Sequence, residues 1–283
     1  MALRSEPTAR QRRLATELRR LREAAGLTAR EAAGLLGVSP PQISQIETGL
    51  AGVSENRLRR MAANYSCTDA ELVAALVDMA TDRTRGWWEE YRESLPTPFL
   101  DLAELEYHSR YRCDVEFLFI PGLLQTDSYA RAAFSSRIPA LPADELDLRV
   151  SHRMQRKVIF DRPAPLPYEA VIHEAALRIR VGDRAVSRAQ LARVLELSEA
   201  DHITVRVIPF DMDGFGGAWS PMMLAGGAVP KLDTAARDAP DGTGFIDSEA
   251  QLNVMRTLFR KVEAAALGPD RSRDFIRRLA KEL

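Results

Sequence analysis

The sequence predicts a mainly α N-terminal helix-turn-helix domain, residues 1–82, followed by an α+β domain, residues 87–283. Three observations predict it. Apolar residues recur at helical spacing from Leu14 to Met79, and the runs open on capping residues and close on glycines. Beyond Trp87 the pattern changes, and alternating runs such as Ile203-Thr204-Val205-Arg206-Val207 appear between helical stretches. Charge also divides unevenly: residues 1–67 contain eleven Arg and six Glu with no Lys or Asp, a net of +5, which leaves −6 for the rest of a chain whose total is −1.

The elements of the first domain follow in order. Leu14, Leu18, Leu21 and Ala25 mark a helix that Gly26 stops. Thr28-Ala29-Arg30-Glu31 is a capping box opening a helix with Ala32, Leu35 and Leu36 on one face and Gly37 at its end. Ser39 is the next N-cap, Pro40 takes the first helical position where its missing N–H is no loss, and Gln42 stands where a capping box needs it. Ile43 and Ile46 give that short helix one apolar stripe, which leaves Pro41, Gln42, Ser44 and Gln45 for the outward surface before Gly49 ends it. Ser54 caps a helix bearing Leu58, Met61 and Ala62, and Leu72, Leu76, Val77 and Met79 mark the last one. Two short capped helices meeting across Gly37-Val38-Ser39 form a helix-turn-helix.

These residues carry a resemblance. LRRLREAAGLTAREAAGLLGVSPPQISQIETG, residues 18–49, resembles the DNA-binding domain of the XRE/Cro-like helix-turn-helix regulators, and the likeness extends to about residue 80. It implies that the helix starting at Pro40 is a recognition helix and that double-stranded DNA is the partner. The candidate DNA-binding residues are Thr28, Arg30, Ser39, Pro40, Pro41, Gln42, Ser44, Gln45 and Thr48. The chemistry suits the role. Glutamine pairs through both amide atoms with adenine, and an apolar side chain such as Pro41 touches a thymine methyl. At Gln42 two readings stand side by side, the capping box alone and base readout. Arg10, Arg12, Arg13, Arg19, Arg20, Arg22, Arg30, Arg57, Arg59 and Arg60 are the pool from which phosphate contacts are drawn, with Arg30 and the loop before Ser54 favoured.

At 283 residues and 46% hydrophobic content, the chain has room for a second core. No run of 18 apolar residues exists, and MALRSEPTARQRR has no secretory signal pattern, so the expected location is cytoplasmic. Cys67 and Cys113 stand in different regions and are expected as free thiols.

In the second domain, Trp87, Trp88, Tyr91 and Phe99 read as core, and Pro96 and Pro98 interrupt a helical stretch. Glu106-Tyr107-His108 joins an alternating segment with Tyr111, Cys113 and Val115, and Pro121-Gly122 makes a turn. Thr126 caps a helix with Tyr129, Ala130 and Ala133 on one side, and a long helix runs from Pro142 to Phe160 with Arg149, Arg153, Arg156 and Lys157 along a solvated side. Then follow a strand over Tyr168–His173, a helix over Ser187–Leu197 and a strand over Ile203–Pro209. Residues 210–247 are rich in glycine and proline, with Gly214-Phe215-Gly216-Gly217 a loop and short strands at Pro221–Leu224 and Gly244–Asp247. Leu252, Met255, Phe259 and Val262 mark one closing helix, and Phe275, Ile276 and Leu279 the other.

IPGLLQTDSYARA, RMQRKVIFDRPAPLPYEAVIHEAALR and QLARVLELSEADHITVRVIPF resemble the C-terminal domain of the WhiJ-like, antitoxin-like regulators of actinobacteria. The resemblance implies a transcriptional regulator whose large domain receives a signal, often paired with a small protein encoded by a neighbouring gene; the regulator is further expected to bind its operator as a homodimer and to respond to a small-molecule or protein effector. The segment from Pro221 to Phe245 departs from that pattern in being poor in apolar strand residues. An antitoxin-like protein that sequesters a small partner is the competing expectation. No catalytic, cofactor-binding or metal-binding residues are expected: His173-Glu174 lacks a second His four residues after the first, the cysteines and histidines show no ligand spacing, and no nucleophile elbow is present.

Overall fold

The computed structural model describes residues 6–212, 220–239 and 242–283. The chain forms two units. The first runs to Trp87 and also includes Val229–Leu232; the second comprises Trp88–Ala228 and Asp233–Leu283.

Among the described residues, five helices build the first unit: α1 (Ala9–Ala24), α2 (Ala29–Leu36), α3 (Pro40–Glu47), α4 (Glu55–Asn64) and α5 (Ala70–Thr81). Each N-terminus has its own local cause. Thr8, Thr28, Ser54 and Asp69 accept through their side chains from backbone N–H groups three residues on, satisfying donors that a helix start leaves orphaned. Ser39 precedes α3 and Pro40 begins it. The helices close over Leu18, Ala32, Leu36, Ile43, Ile46, Leu58, Met61 and Leu76, all nearly or wholly buried, and Val229 joins this core. Each large apolar side chain so buried is worth about 1.5–3 kcal/mol. One expected core position fails: Leu35 is half exposed, and Ala33 takes the inward place beside Ala32 and Leu36. On so short a helix the apolar stripe spans barely two turns.

The second unit contains α6 (Thr97–His108), β1 (Tyr111–Glu116), α7 (Asp127–Ser135), α8 (Ala143–Gln155), α9 (Val158–Asp161), β2 (Tyr168–His173), α10 (Glu174–Arg178), α11 (Arg184–Leu197) and β3 (Ile203–Ile208). It continues with β4 (Met222–Gly226), β5 (Thr234–Ala239), β6 (Gly242–Ile246), α12 (Glu249–Ala265) and α13 (Pro269–Glu282). Among the described residues the six strands form one sheet in the order β3-β2-β1-β4-β5-β6. β1, β2 and β3 are parallel, as strands joined by helical crossovers are, and β4, β5 and β6 are antiparallel to their neighbours. Both faces are covered. On one, Tyr168, Ala170 and Ile172 of β2 and Ile203, Val205 and Val207 of β3 meet Tyr129, Ile159, Leu191 and Ile276; on the other, Cys113, Val115, Leu224 and Ala235 meet Leu252, Met255, Phe259 and Val262 of α12. At the outer edge of β3, Val207 donates its N–H to Ser272 Oγ at 3.0 Å and accepts from Leu267 N–H at 2.9 Å, which ties this point of the edge to the start of α13.

The α+β class is as expected, and several details differ from the sequence reading. Pro96 and Pro98 do not interrupt a helix; they stand at the start of α6, which runs on through Glu106-Tyr107-His108. The helix expected over Pro142–Phe160 breaks at Arg156-Lys157 into α8 and α9. The segment from Pro221 to Phe245 contributes β5 between the two short strands expected there, which appear as β4 and β6, and Ala235 and Ala236 of β5 are buried. The basic side of α8 is not solvated: Arg149 and Arg156 are buried and ion-paired, and the Lys157 ammonium donates to the Gln125 carbonyl, with burial and then Arg193 and Arg153 pushing its pKa down to about 8. Trp88 and Tyr91 are buried core. Cys67 and Cys113 are free, and burial raises the Cys113 thiol far above its usual range. The loop expected at Gly214-Phe215-Gly216-Gly217 lies outside the described residues.

Candidate nucleic-acid interface

α3 is fixed on its inner side and open on its outer one. Ile43 and Ile46 are 0% and 3% exposed, whereas Pro40, Pro41, Gln42, Ser44 and Gln45 all face solvent. The stripe of two isoleucines three apart therefore sets the rotation of the helix, and the remaining residues form its free face. The two prolines remove backbone freedom in the first turn, the end that enters a major groove in helix-turn-helix proteins.

The capping chemistry decides how much of each side chain is available. Gln42 Oε1 accepts from the Ser39 backbone N–H at 3.0 Å, so the carbonyl end of that side chain is already used and its amide NH₂ faces outward. Gln45 is exposed one turn further on. Thr48 is exposed, and its hydroxyl donates to the Ser44 carbonyl at 2.9 Å. Thr28 is exposed in a capping box in which Glu31 accepts from its backbone N–H at 2.8 Å and its hydroxyl at 2.7 Å; these two hydrogen bonds hold the Glu31 carboxyl below its usual pKa. Arg30 is exposed in the first turn of α2. All nine predicted residues lie on the surface of one small unit.

The pool of ten arginines sorts by burial. Arg13 and Arg22 are interior side chains and cannot reach phosphate. Arg13 bonds Glu17 and the Lys231 carbonyl. Arg22 Nε and Nη2 donate to Glu47 Oε1 and Oε2 at 2.7 and 2.8 Å, while Nη1 donates to the Leu27 carbonyl at 2.7 Å. The hydrogen bond to Glu47 raises the Arg22 pKa further. This bidentate pair ties α1 to the C-terminal end of α3. Arg19 and Arg59 pair with Glu23 and Glu55 one turn away on their own helices, exposed contacts that add little to stability. Glu47 was not among the residues singled out from sequence. A signal for it existed: a carboxylate in the last turn of a helix opposes the macrodipole, so it calls for a cation.

Among the described residues no three His, Cys, Asp or Glu side chains are placed to hold a metal ion, and no helix is long and apolar enough to cross a membrane.

Comparison with known proteins agrees with this geometry. A family model described as a helix-turn-helix domain matches residues 13–76, which reach from within α1 into α5 and contain all nine candidate DNA-binding residues. The N-terminal unit is thus a helix-turn-helix of the kind found in DNA-binding regulators. Neither the curated proteins nor the solved structures include a match to the chain. A second model, described as a domain of unknown function (DUF5753), matches residues 99–278, more than half of the chain, and the protein belongs to that family.

Proposed function

We propose that the protein is a sequence-specific transcriptional regulator in which α3 reads base edges in the major groove and the domain from residue 87 onward receives a signal. The observation that carries it is the sided α3: two buried isoleucines and a doubly bonded Glu47 on one side, Pro41, Ser44 and Gln45 exposed on the other. Gln45 is the principal reader, Gln42 contributes its amide donor, and Arg30 and Arg57 supply phosphate contacts. The regulator works as a homodimer on half-sites one helical turn, about 34 Å, apart. Its second domain is a receiver of small-molecule or protein signals and carries out no catalysis. A gel shift of the full chain against DNA upstream of its own gene, across a salt series, tests the reading. Preference for that DNA over a random duplex, with affinity falling steeply as salt rises, is the expected result; equal affinity for both removes direct readout.

An antitoxin-like reading, in which the second domain sequesters a small partner protein, is favoured by one observation. Leu118, Phe119 and Phe210 are 56%, 43% and 60% exposed, and the Phe210 ring packs edge-on against His173, 5.2 Å between centroids, beside the carboxyl ends of the parallel strands. Co-expression with the product of a neighbouring gene, followed by size exclusion, distinguishes the two: a stable complex that no longer shifts DNA supports sequestration.

A further inference from the structure

The leading turn of α3 is stripped of hydrogen-bond donors by its own sequence. Pro40 and Pro41 have no backbone N–H, so two of the donors that a helix start leaves orphaned are missing. The next two are turned back on the cap: the Gln42 and Ile43 N–H groups both donate to the Ser39 carbonyl, at 3.0 and 3.4 Å. This helix start therefore lacks the bare N–H groups with which other helix starts bind phosphate.

Gln42 is the exposed amide side chain in that turn, and its orientation is chemically determined. The Ser39 backbone N–H can only donate, so the atom 3.0 Å from it is the amide oxygen, Oε1. The Ser39 hydroxyl donates to the same oxygen over a longer 3.4 Å. With Oε1 engaged twice by the cap, Gln42 turns outward an NH₂ group with two donors and no acceptor.

That one-sidedness selects among bases. A glutamine that reads adenine needs both amide atoms, the NH₂ donating to N7 and the oxygen accepting from N6–H₂. Gln42 has no oxygen to spare, and its NH₂ would meet the adenine N6 donor head-on. Cytosine presents the N4–H₂ donor and fails for the same reason, while thymine offers one acceptor beside its methyl. Guanine presents N7 and O6, two adjacent acceptors. We infer that Gln42 specifies a guanine in the half-site, giving both amide hydrogens to N7 and O6 while its oxygen stays on Ser39. The inference rests on the reading of α3 as the helix that enters the major groove.

The neighbouring helix supplies the control. Glu31 builds the same box at the start of α2, its Oε2 accepting from the Thr28 N–H at 2.8 Å and the Thr28 hydroxyl at 2.7 Å. A carboxylate thus serves such a cap as an amide does, and what glutamine adds at position 42 is the pair of outward donors. Gln42→Glu keeps the box and turns an acceptor outward in their place.

The test is selection from a randomised duplex library by the full-length wild type, Gln42→Glu and Gln42→Met in parallel, with the unfolding midpoint of each recorded. The wild type should enrich guanine at one position of the half-site. Gln42→Met, of similar length without the amide, should make that position neutral. Gln42→Glu should unfold no earlier than wild type and should replace the guanine by cytosine, whose N4–H₂ donates to a carboxylate. Base analogues give a check on the wild type alone: 7-deazaguanine at that position, lacking N7, should weaken binding about fivefold, and hypoxanthine, which keeps N7 and O6, should not. Adenine at the position that responds to the Gln42 exchanges, or equal binding of the 7-deazaguanine duplex, overturns the inference. A defined motif unchanged in both variants removes the inference alone, whereas a wild type that enriches no motif removes the reading of α3 and the inference with it.

Discussion

Arg22 on α1 grasps both carboxylate oxygens of Glu47 at the end of α3, at 2.7 and 2.8 Å, with both side chains less than a tenth exposed. The pair fixes the far end of α3, as Pro40 fixes the near end. Truncation of Arg22 to Ala leaves Glu47 buried without its cation and should cost about 3–5 kcal/mol, seen as a lowered unfolding midpoint of the helical unit. Glu47→Gln should cost less, because an amide still accepts from Arg22. Loss of DNA affinity in Arg22→Ala should track loss of fold, not a change in salt slope, since Arg22 touches no phosphate.

Arg30 should behave in the opposite way. Arg30→Ala is predicted to leave stability within about 0.5 kcal/mol of wild type, as exposed substitutions do, while weakening DNA binding evenly across sequences and lowering the salt slope by about one. Affinity measured at several salt concentrations checks this directly.

Gly226 is required by its neighbour. A Cβ placed there would lie 1.8 Å from Asp233 Oδ1, and Asp233 is wholly buried, accepting from Tyr111 at 2.6 Å and from Arg256 Nη2 at 2.6 Å. Gly226→Ala should therefore destabilise the sheet domain by about 1–3 kcal/mol, read in a denaturant titration. Asp233→Asn should be tolerated less well than a surface exchange, because it weakens the charge-assisted bond from Arg256.

His152 gives the stability a pH dependence. The ring is 1% exposed between Tyr91 and Phe99, and burial, then Arg156 and Arg153, pushes its pKa down to about 3 from 6.5. Above pH 6.5 the ring is neutral in both folded and unfolded chains and contributes no slope. As pH falls from 6.5 toward 3 the unfolded chain takes up a proton that the folded one refuses, so stability should decline by up to about 1.4 kcal/mol per pH unit. His152→Phe, which keeps an aromatic ring in the site, should flatten that part of the profile; an unchanged slope would assign the effect to other groups.

The helix-turn-helix was legible because its signals are local: Thr28, Ser39 and Ser54 each stand one residue before the helix they start, and Ile43 and Ile46 show which side of α3 is inward. Arg22 was misread as a surface arginine because its partner lies 25 residues away. The alternation of Tyr111, Cys113 and Val115 was legible as a strand, but nothing local showed that Arg112 and Asp114 between them are buried. Both faces of the sheet are covered, so the charges there had to pair inside. β5 escaped notice because Ala235 and Ala236 carry little hydrophobic signal although both are buried.

Selection from a randomised duplex library, carried out in parallel with the wild type and Gln45→Ala, tests the central claim most directly. The account predicts that the wild type enriches a defined half-site. It also predicts that Gln45→Ala loses preference at one base position, a change of about 1–3 kcal/mol, while its salt slope is retained. Enrichment of no motif by the wild type, or of an unchanged motif by Gln45→Ala, would contradict the assignment of α3 as the reading helix and of Gln45 as its principal reader.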